Sequence, residues 1–277
     1  MDKQQITLGF NVVSTDYDNP ALRHLLAAAN RLVELASIHP GQKVLDIATG
    51  TGNAAIAAAR TVGENGQVIG IDLAKNMLEK AQQKVSAAGL KNVELQEGDA
   101  TALHFTDNSF DVAICASGIY CLPDILSGLR EWYRVTKPNG RVAFSSWGET
   151  ADKAVFSLFK KRLKHYIASS PTANSLDEAL GRVDSAQKCR ELLQAVGFEN
   201  IEVSVEQLGY YVKTLEECWD SIWNTGLRIP LLHLEPQKVE QFKAEYLAEV
   251  EALTTEQGIW VDRPAIFARA RKPTGSH

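Results

Sequence analysis

The chain has 277 residues, of which 45% are hydrophobic and 23% are charged; this balance is typical of a folded globular protein rather than a disordered or collagen-like one. Its 29 basic residues against 34 acidic residues give a net charge of −5, which disfavours a protein that binds nucleic acid through clustered Lys and Arg side chains. Because no apolar run reaches about 18 residues and the N-terminus lacks a secretory signal pattern, we expect a cytoplasmic protein without stable membrane insertion.

The first half of the chain alternates between the patterns of helices and strands. Asn19-Pro20 predicts a helix start, because Asn caps helices and Pro favours the first helical position. The predicted strands cover residues 43–48, 67–71, 93–97, 110–116 and 141–146, and the predicted helices cover 21–36, 53–60, 74–88 and 125–135. This alternation predicts a largely parallel sheet with helices on both faces.

The pattern changes after residue 147. The second half has predicted helices at 154–167, 185–198, 214–223 and 236–252, strands at 201–212 and 260–270, and a loop at 168–184. No packed crossover helix joins the last two strands, so they are expected to form an antiparallel edge that carries a helical lid.

Together these elements predict an α/β protein with a doubly wound, mostly parallel sheet of seven strands and a helical lid inserted in the C-terminal part. The sequence has no internal repeat, low-complexity segment or Pro-rich linker, so we expect one domain over residues 1–277. Its parts would be a core at about 10–148, lid helices with the sixth strand at about 149–258, and a final strand at about 259–272.

A glycine loop follows the first predicted strand, within the sequence VLDIATGTGN. Gly50 and Gly52 allow a sharp turn and let the backbone approach a ligand closely. The loop also satisfies the dinucleotide fingerprint GxGxxA, and Asp72 lies 20 residues after Gly52 at the end of the next predicted strand. An NAD-dependent oxidoreductase is therefore one candidate.

Acidic residues near the strand ends favour a different cofactor. Asp46 stands just before the glycine loop, where its carboxylate would repel the pyrophosphate of NAD but attract the ammonium group of S-adenosylmethionine. Asp99 places a second carboxylate after the third strand, and a strand pair at the C-terminus replaces a second mononucleotide-binding half. These three features favour S-adenosylmethionine over NAD.

The motifs of the chain resemble, in order, those of the class I S-adenosylmethionine-dependent methyltransferases. VLDIATGTGN is similar to their first motif, VIGIDLAKNML to the second and VELQEGDATALHF to the third, while FDVAICASGIYCLPD and RVTKPNGRVAFSSWG are similar to the two that follow. The resemblance spans about residues 10–148 and is nearest to the ubiquinone/menaquinone-biosynthesis branch and related small-molecule methyltransferases. It implies a Rossmann-like methyltransferase fold and S-adenosylmethionine as the cofactor.

The same resemblance implies roles for individual residues at the cofactor site. They are Asp46, Ala48, Gly50 and Gly52 at the amino-acid end of the cofactor, Asp72 at the ribose hydroxyls, Leu73, Met77, Asp99 and Ala100 around the adenine, Ala116 and Ser117 beneath the sulfonium, and Tyr17 folded over the cofactor from the N-terminal segment. A carboxylate that accepts hydrogen bonds from both ribose hydroxyls explains an acid at a strand end.

Methyl transfer is an in-line displacement, so a base is needed only when the acceptor must lose a proton. Where many relatives carry His after the fourth strand, this chain has Tyr120, which would either orient an acceptor hydroxyl or pack in the interior. His165 and His233 lie in the predicted lid, where they would either face the acceptor or occupy exposed positions. These three residues are the catalytic candidates.

Aromatic residues in the predicted lid favour a small apolar or aromatic acceptor, methylated at O, N or C. Trp219 and Trp223 are four residues apart on one helix and would form an apolar wall above the sulfonium. The alternative is that they attach the lid to the sheet. The four cysteines form no CxxC pair and no His lies at zinc-ligand spacing from them, so no metal is expected.

Two other functions stay open at this point. One is a module that binds the cofactor without catalysis, and the other is the oxidoreductase, which Asp46 disfavours. Methylation of nucleic acid is disfavoured by the net charge and by SGIY in the place of an Asn/Asp-Pro-Pro-aromatic tetrapeptide. The sequence is compatible with a homodimer and leaves the acceptor unidentified.

Overall fold

A computed structural model describes residues 3–151, 153–167 and 178–274. The strands are β1 (Lys43–Ile47), β2 (Gln67–Asp72), β3 (Val93–Glu97), β4 (Phe110–Cys115), β5 (Thr136–Trp147), β6 (Glu199–Gln207), β7 (Tyr210–Val212), β8 (Ile259–Val261) and β9 (Pro264–Arg271). Seven of them form one sheet in the order β3-β2-β1-β4-β5-β9-β6. The first five strands are parallel, and β9 runs antiparallel to both β5 and β6. This arrangement confirms the predicted doubly wound sheet with an antiparallel edge.

Helices cover both faces of the sheet. They are α1 (Lys3–Val13), α2 (Arg23–Leu35), α3 (Asn53–Val62), α4 (Lys75–Ala87), α5 (Ile125–Val135), α6 (Lys153–Tyr166), α7 (Ala186–Val196), α8 (Leu215–Trp223) and α9 (Pro236–Glu251). Successive side chains of a strand point to opposite faces. Accordingly Val44 of β1 packs with Ala55 of α3, whereas Leu45 packs in the cluster that holds Trp132 of α5. Both faces of β1 are therefore buried, which explains its continuous apolar run.

The strand order reverses between β1 and β4. From β1 the chain proceeds outward through β2 and β3, and it then returns to the other side of β1 to build β4 and β5. Connections leave the sheet in opposite directions at this point, so a crevice opens at the carboxyl ends of β1 and β4. The glycine loop follows β1 directly, which places it at this crevice.

Two of the predicted strands are each divided into two. The predicted strand 201–212 breaks into β6 and β7, and the predicted strand 260–270 breaks into β8 and β9; β7 and β8 pair with each other in a separate small sheet. Oε1 of Gln207 accepts the backbone N–H of Gly209 at 2.7 Å and that of Arg263 at 3.0 Å. The side chain of Gln207 thus contacts the chain at both breaks. The contact with Arg263 is long-range, and strand patterns in the sequence do not reveal it.

The C-terminal cover of the sheet has an aromatic interior of its own. Helices α6, α8 and α9 and the β7–β8 pair pack around Phe159, Trp219, Phe242 and Tyr246. Trp219 is buried and its ring stacks on that of Trp223 at 5.4 Å, so this ring lies in the interior of the cover.

The predicted loop at 168–184 is only partly described. Residues 168–177 lie outside the described parts of the chain, and residues 178–181 form a helical turn rather than a loop. Within the described ranges, no helix has the length and apolar character needed to cross a bilayer.

Candidate active site

The glycine loop brings backbone, rather than side chains, to the carboxyl edge of the sheet. Ala48, Gly50 and Gly52 have φ angles of 53°, 55° and 82°, a region that glycine adopts readily and other residues rarely do. A Cβ at Gly50 would meet no atom within 4 Å, so this side of the loop is open to a ligand. A Cβ at Gly52 would instead lie 3.0 Å from the Cβ of Ala81 on α4, where the loop and the helix pack closely.

Asp46 is completely buried near the end of β1, behind the glycine loop. Oγ1 of Thr49 donates a hydrogen bond to its Oδ2 at 2.6 Å, while Oδ1 has no hydrogen-bond partner among the described residues. Burial raises the pKa of Asp46 to about 7, although the hydrogen bond from Thr49 acts in the opposite direction. The backbone N–H of Ala55 also lowers this pKa, and the carboxylate would attract a cationic ligand group at the loop in front of it.

Asp72 ends β2, and two backbone N–H groups hold its carboxylate. Gly50 donates to Oδ2 and Ala74 donates to Oδ1, each at 2.8 Å. Each carboxylate oxygen keeps further acceptor capacity, so the group is oriented but not saturated. Burial raises the pKa of Asp72, which the hydrogen bonds from the backbone partly offset. The arrangement fits a ligand that presents neighbouring hydroxyl groups.

Asp99 follows β3 and forms an ion pair with the first helix. Nζ of Lys3 lies 2.6 Å from its Oδ2 and 2.9 Å from Oγ1 of Thr101. The backbone N–H and the hydroxyl of Thr101 both donate to Oδ1 at 2.8 Å. Burial alone would raise the pKa of Asp99, but the hydrogen bonds from Lys3 and Thr101 outweigh it, so the pKa is lowered. Asp99 is therefore an ionised acceptor at neutral pH.

These groups surround a cavity at the carboxyl edge of the sheet. Its volume is about 980 Å³, a value that includes the space at its open mouth. Ten of the twelve residues predicted for the cofactor line it: Tyr17, Ala48, Gly50, Asp72, Leu73, Met77, Asp99, Ala100, Ala116 and Ser117. Asp46 and Gly52 do not line the cavity. Thr49 does line it, and Asp46 lies behind Thr49.

Helix α1 covers the cavity, and the sequence analysis missed it. Lys3, Ile6 and Phe10 of this helix line the cavity beside Tyr17. The rings of Phe10 and Tyr17 meet edge to face, with their centroids 6.0 Å apart. The spacing of Ile6, Phe10 and Val13 is that of one helix face, and this pattern was the available signal.

The wall next to the β4 end is mainly apolar. It consists of Leu25 and Ala29 on α2 together with Cys121, Leu122 and Pro123, which follow β4. Tyr120, a predicted catalytic residue, is half-buried next to Cys121 and packs against the apolar clusters on both faces of the sheet. It is not in the cavity wall, and burial raises the pKa of its hydroxyl, which is therefore protonated at neutral pH.

The structure does not bring the other two catalytic candidates to this cavity. His165 is exposed on α6, with its Nδ1 2.8 Å from the backbone oxygen of Lys161. His233 is exposed at the end of the 3₁₀ helix Gly226–His233. Both therefore occupy the exposed positions that the sequence analysis kept as an alternative, since helical spacing alone does not tell a buried face from a solvated one.

A buried histidine that the sequence analysis did not single out lies beside the apolar wall. His24 precedes Leu25 on α2, is only 5% exposed, and has its Nδ1 2.9 Å from the hydroxyl of Tyr210. Burial lowers its pKa well below the usual value, so the ring is neutral. In the sequence, the available signal for this buried ring was the place of His24 among the apolar positions of the predicted helix.

Comparison with known sequences finds a family model and individual relatives that agree with each other. The model of the ubiE/COQ5 methyltransferase family matches residues 2–212. A demethylmenaquinone methyltransferase of Geobacillus kaustophilus is 34% identical over 219 residues, which cover 72% of this chain and 91% of that protein. A demethylmenaquinone methyltransferase of Lactobacillus johnsonii is 33% identical over 180 residues, covering 62% of this chain and 74% of that protein.

Solved structures show the same fold. An S-adenosylmethionine-dependent methyltransferase from Aquifex aeolicus has a TM-score of 0.55 at 20% identity, covering 95% of this chain and 98% of that one. A phosphoethanolamine N-methyltransferase of Haemonchus contortus, in complex with S-adenosylmethionine, has a TM-score of 0.55 at 22% identity, covering 91% of this chain and 52% of that one. The findings favour the predicted methyltransferase, with S-adenosylmethionine as its cofactor, over the oxidoreductase. The chain belongs to the ubiE/COQ5 methyltransferase family.

Proposed function

We propose that this chain transfers the methyl group of S-adenosylmethionine to a small, apolar ring compound of the demethylmenaquinone type. The observation that supports this proposal is the division of the cavity into two unlike walls. The carboxylates of Asp72 and Asp99 and the bare backbone at Gly50 form one wall, and apolar side chains near Leu25 form the other. A polar cofactor and an apolar acceptor would each meet a matching surface.

On the polar side, we assign Asp72 to the ribose hydroxyls, Asp99 to the amine of the adenine, and Asp46 to the ammonium group. Asp72 is oriented by the N–H groups of Gly50 and Ala74 before any ligand arrives, so little ordering is needed on binding. Met77, which is buried and lines the cavity, would lie against the adenine with Leu73. When bound, the cofactor supplies a methyl group made electrophilic by its sulfonium.

On the apolar side, the chain's own task is to orient the acceptor and exclude water. Leu25, Ala29 and Leu122 offer contact surface to a ring, while Phe10 of α1 closes the cavity from above. Tyr120 does not line the cavity, and its hydroxyl, whose pKa is raised by burial, would stay protonated throughout. In this assignment residues 10–148 hold the cofactor, and the segment 149–258 contributes the cover.

The proposal is tested with the full chain, S-adenosylmethionine carrying an isotopically labelled methyl group, and demethylmenaquinone chemically reduced to its hydroquinone. We expect one labelled methyl group on the ring compound, detected by mass spectrometry, and none with the unreduced quinone. Asp72→Ala serves as a control that should lose turnover when the cofactor is scarce.

Two outcomes would contradict the proposal. Label that appears in another small molecule of a cell extract, but not in the demethylmenaquinone, would identify a different acceptor. Calorimetric binding of the cofactor without transfer to any molecule of the extract would favour the non-catalytic binding module instead.

A further inference from the structure

The 3₁₀ helix Gly226–His233 connects the C-terminal cover with helix α1. Its Leu231 is completely buried in the aromatic interior of the cover. Its Ile229 packs on α1 at Gly9, where a Cβ would lie only 2.6 Å from Cδ1 of Ile229. A larger residue at position 9 would push the two elements apart, so the close approach of α1 to the cover depends on glycine.

The guanidinium of Arg228, on this 3₁₀ helix, contacts the end of α1. Nη2 donates to the backbone oxygen of Val12 in the last turn of α1, and Nη1 lies 3.0 Å from Oδ2 of Asp16 in the turn that follows. Backbone oxygens in the last turn of a helix have no partner within the helix, so a cation there satisfies one of them and interacts favourably with the helix dipole. The side chain of Arg228 is only 9% exposed, so solvent screens these contacts weakly.

On its other side, Arg228 is held by the cover. Its guanidinium lies 5.8 Å from the ring centroid of Trp223, and Nη1 donates to the backbone oxygen of Trp223 at 3.5 Å. Nε has no hydrogen-bond partner among the residues that the structure describes. Burying a charged side chain with one donor unsatisfied is costly, so Arg228 adds little to the stability of the chain. Its contacts instead fix where α1 lies relative to the cover.

The turn after α1 is also held from the cofactor side of the cavity. Oδ1 of Asp18 accepts hydrogen bonds from Nζ of Lys84 on α4 at 2.8 Å and from Oγ1 of Thr51 in the glycine loop at 2.9 Å. Tyr17, between Asp16 and Asp18, lines the cavity. The residue that reaches the cavity therefore lies between two anchors, one in the cover and one on the cofactor side.

We propose that Arg228 is a positioning residue: it holds α1 and the following turn over the cavity, and it thereby sets how fast the cofactor enters and its product leaves. The inference rests on the proposed function only in placing the cofactor in this cavity. Phe10 and Tyr17 line the cavity from the held segment, so displacement of the segment widens the mouth. Arg228 contacts the segment but does not line the cavity, so it acts on entry and exit together rather than on the affinity.

The test measures the association and dissociation rates of S-adenosylhomocysteine by stopped flow with the full chain. Arg228→Met keeps most of the side-chain volume but no donor. Both rates should rise about tenfold, the value of one hydrogen bond to a charged group, while the dissociation constant stays within about threefold. Arg228→Lys keeps the charge without the fork of donors that reaches Val12 and Asp16 together, so its rates should lie between those of Arg228→Met and the wild-type chain.

Asp16→Asn removes only the ion pair and leaves the hydrogen bond from Arg228 to Val12. The side chain of Asp16 is 43% exposed, so this pair is partly screened. Both rates should therefore rise by only about two- to threefold. A parallel rise in association and dissociation is a result that a merely structural role of Arg228 does not produce, because damage to the site slows association.

Arg162→Met is the matched control. Arg162 lies on α6 in the same cover and pairs with Glu245 at 2.5 Å and Glu249 at 2.6 Å, both on α9, so these ion pairs lie within the cover. We expect its exchange rates to stay within about twofold of the wild-type values, because the substitution does not touch α1. Denaturant titration of both methionine variants would show how much stability each loses.

Three results would overturn the inference: unchanged rates in Arg228→Met, faster dissociation with slower association in that variant, or an equal rise of both rates in Arg162→Met. If Arg228→Met does not fold, Arg228→Lys and Asp16→Asn decide the question through the same two rates. Asp72→Ala keeps the inference separate from the cofactor assignment. Unchanged affinity in Asp72→Ala would contradict that assignment, while faster exchange in Arg228→Met would still support the role of Arg228.

Discussion

The cofactor side of the cavity and the C-terminal cover are built in different ways. On the cofactor side, backbone groups hold polar side chains, as the N–H groups of Gly50 and Ala74 hold Asp72. In the cover, rings pack on rings, as Phe242 does on Phe159 and Tyr166 with centroids 5.3 Å apart in each case. Polar substitutions should therefore affect the first region, and loss of volume should affect the second.

The largest effect is expected from Phe242→Ala in the cover. Phe242 is completely buried between α6 and α9, so its removal leaves a cavity and should lower the free energy of unfolding by about 3–5 kcal/mol. Denaturant titration would measure this loss. If the two regions are independent, the affinity for S-adenosylhomocysteine at a temperature where the variant is folded should stay within about twofold of the wild-type value.

A matched control for that substitution is Phe156→Ala. Phe156 lies at the rim of the same cluster, half-buried, with its ring 6.4 Å from that of Phe159. It should cost clearly less stability than Phe242→Ala, because solvent replaces the lost contacts. A large drop in cofactor affinity in either variant would show that the cover and the cofactor side do not act separately.

The next effect in size is expected from Asp72→Ala on the cofactor side. It removes an acceptor for the ribose hydroxyls and the anchor of Gly50, so binding of S-adenosylhomocysteine should weaken by about 1.5–3 kcal/mol. Asp111→Ala is the control: its carboxylate also accepts a backbone N–H, from Lys43 at 2.8 Å, but it does not line the cavity. Unchanged affinity in Asp72→Ala, measured by calorimetry, would contradict the ribose assignment.

The contrast between the regions also explains what the sequence alone could predict. Parallel strands end at the same edge of a sheet, so Asp72 and Asp99 could be placed near the glycine loop from their positions after strands. The confirmed fold follows from such local patterns, whereas most of the ten predicted residues in the cavity wall were implied by the resemblance of the motifs to those of the methyltransferases. Helix α1 was missed because its apolar face is short, although Ile6 and Phe10 close the cavity.

Long-range contacts were beyond sequence patterns. The side-chain oxygen of Gln207 accepts hydrogen bonds from the backbone N–H groups of Gly209 and of Arg263, which is 56 residues further along the chain. These contacts lie where each of two predicted strands breaks in two. The sequence analysis selected two exposed histidines, His165 and His233, and did not single out the enclosed His24, for a related reason. Helical periodicity shows that a residue faces one side, but only the packing of Trp147 and Tyr210 around His24 shows which histidine is enclosed.

The pH dependence of cofactor binding tests the role of Asp46. Since its pKa is about 7 in the free protein, the carboxylate that would attract the ammonium group is lost as the pH falls from 8 to 6, and the affinity for S-adenosylhomocysteine should fall by up to about tenfold. Asp46→Asn should bind weakly at both pH values without this change. A wild-type affinity that rises toward pH 6 would contradict the assignment.

The titration of Asp46 also changes the free energy of unfolding, and this effect has the opposite pH dependence to its effect on cofactor binding. A pKa raised from 3.8 to about 7 means that the folded chain holds a proton that the unfolded chain releases, so this contribution to stability is complete below about pH 4 and is lost as the pH rises through 7. Urea titrations of the wild-type chain and Asp46→Asn at pH 5 and pH 8 should differ in this direction. Equal pH dependence in the two proteins would show that Asp46 is not the group concerned.

The smallest effect is expected where helix α1 meets the cofactor side. The side chain of Lys3 is 44% exposed, so its ion pair with Asp99 is screened by solvent and should contribute modestly. Lys3→Ala should speed the dissociation of S-adenosylhomocysteine by about two- to fivefold, because the ion pair helps to hold α1 over the cavity, and raising the salt concentration should produce the same change in the wild-type chain. Stopped-flow displacement would measure both rates. Lys3→Gln keeps a hydrogen-bond donor toward Asp99 without the charge, so its dissociation rate should lie between those of the wild-type chain and Lys3→Ala. Slower dissociation in Lys3→Ala would instead mean that Lys3 competes with the cofactor for Asp99.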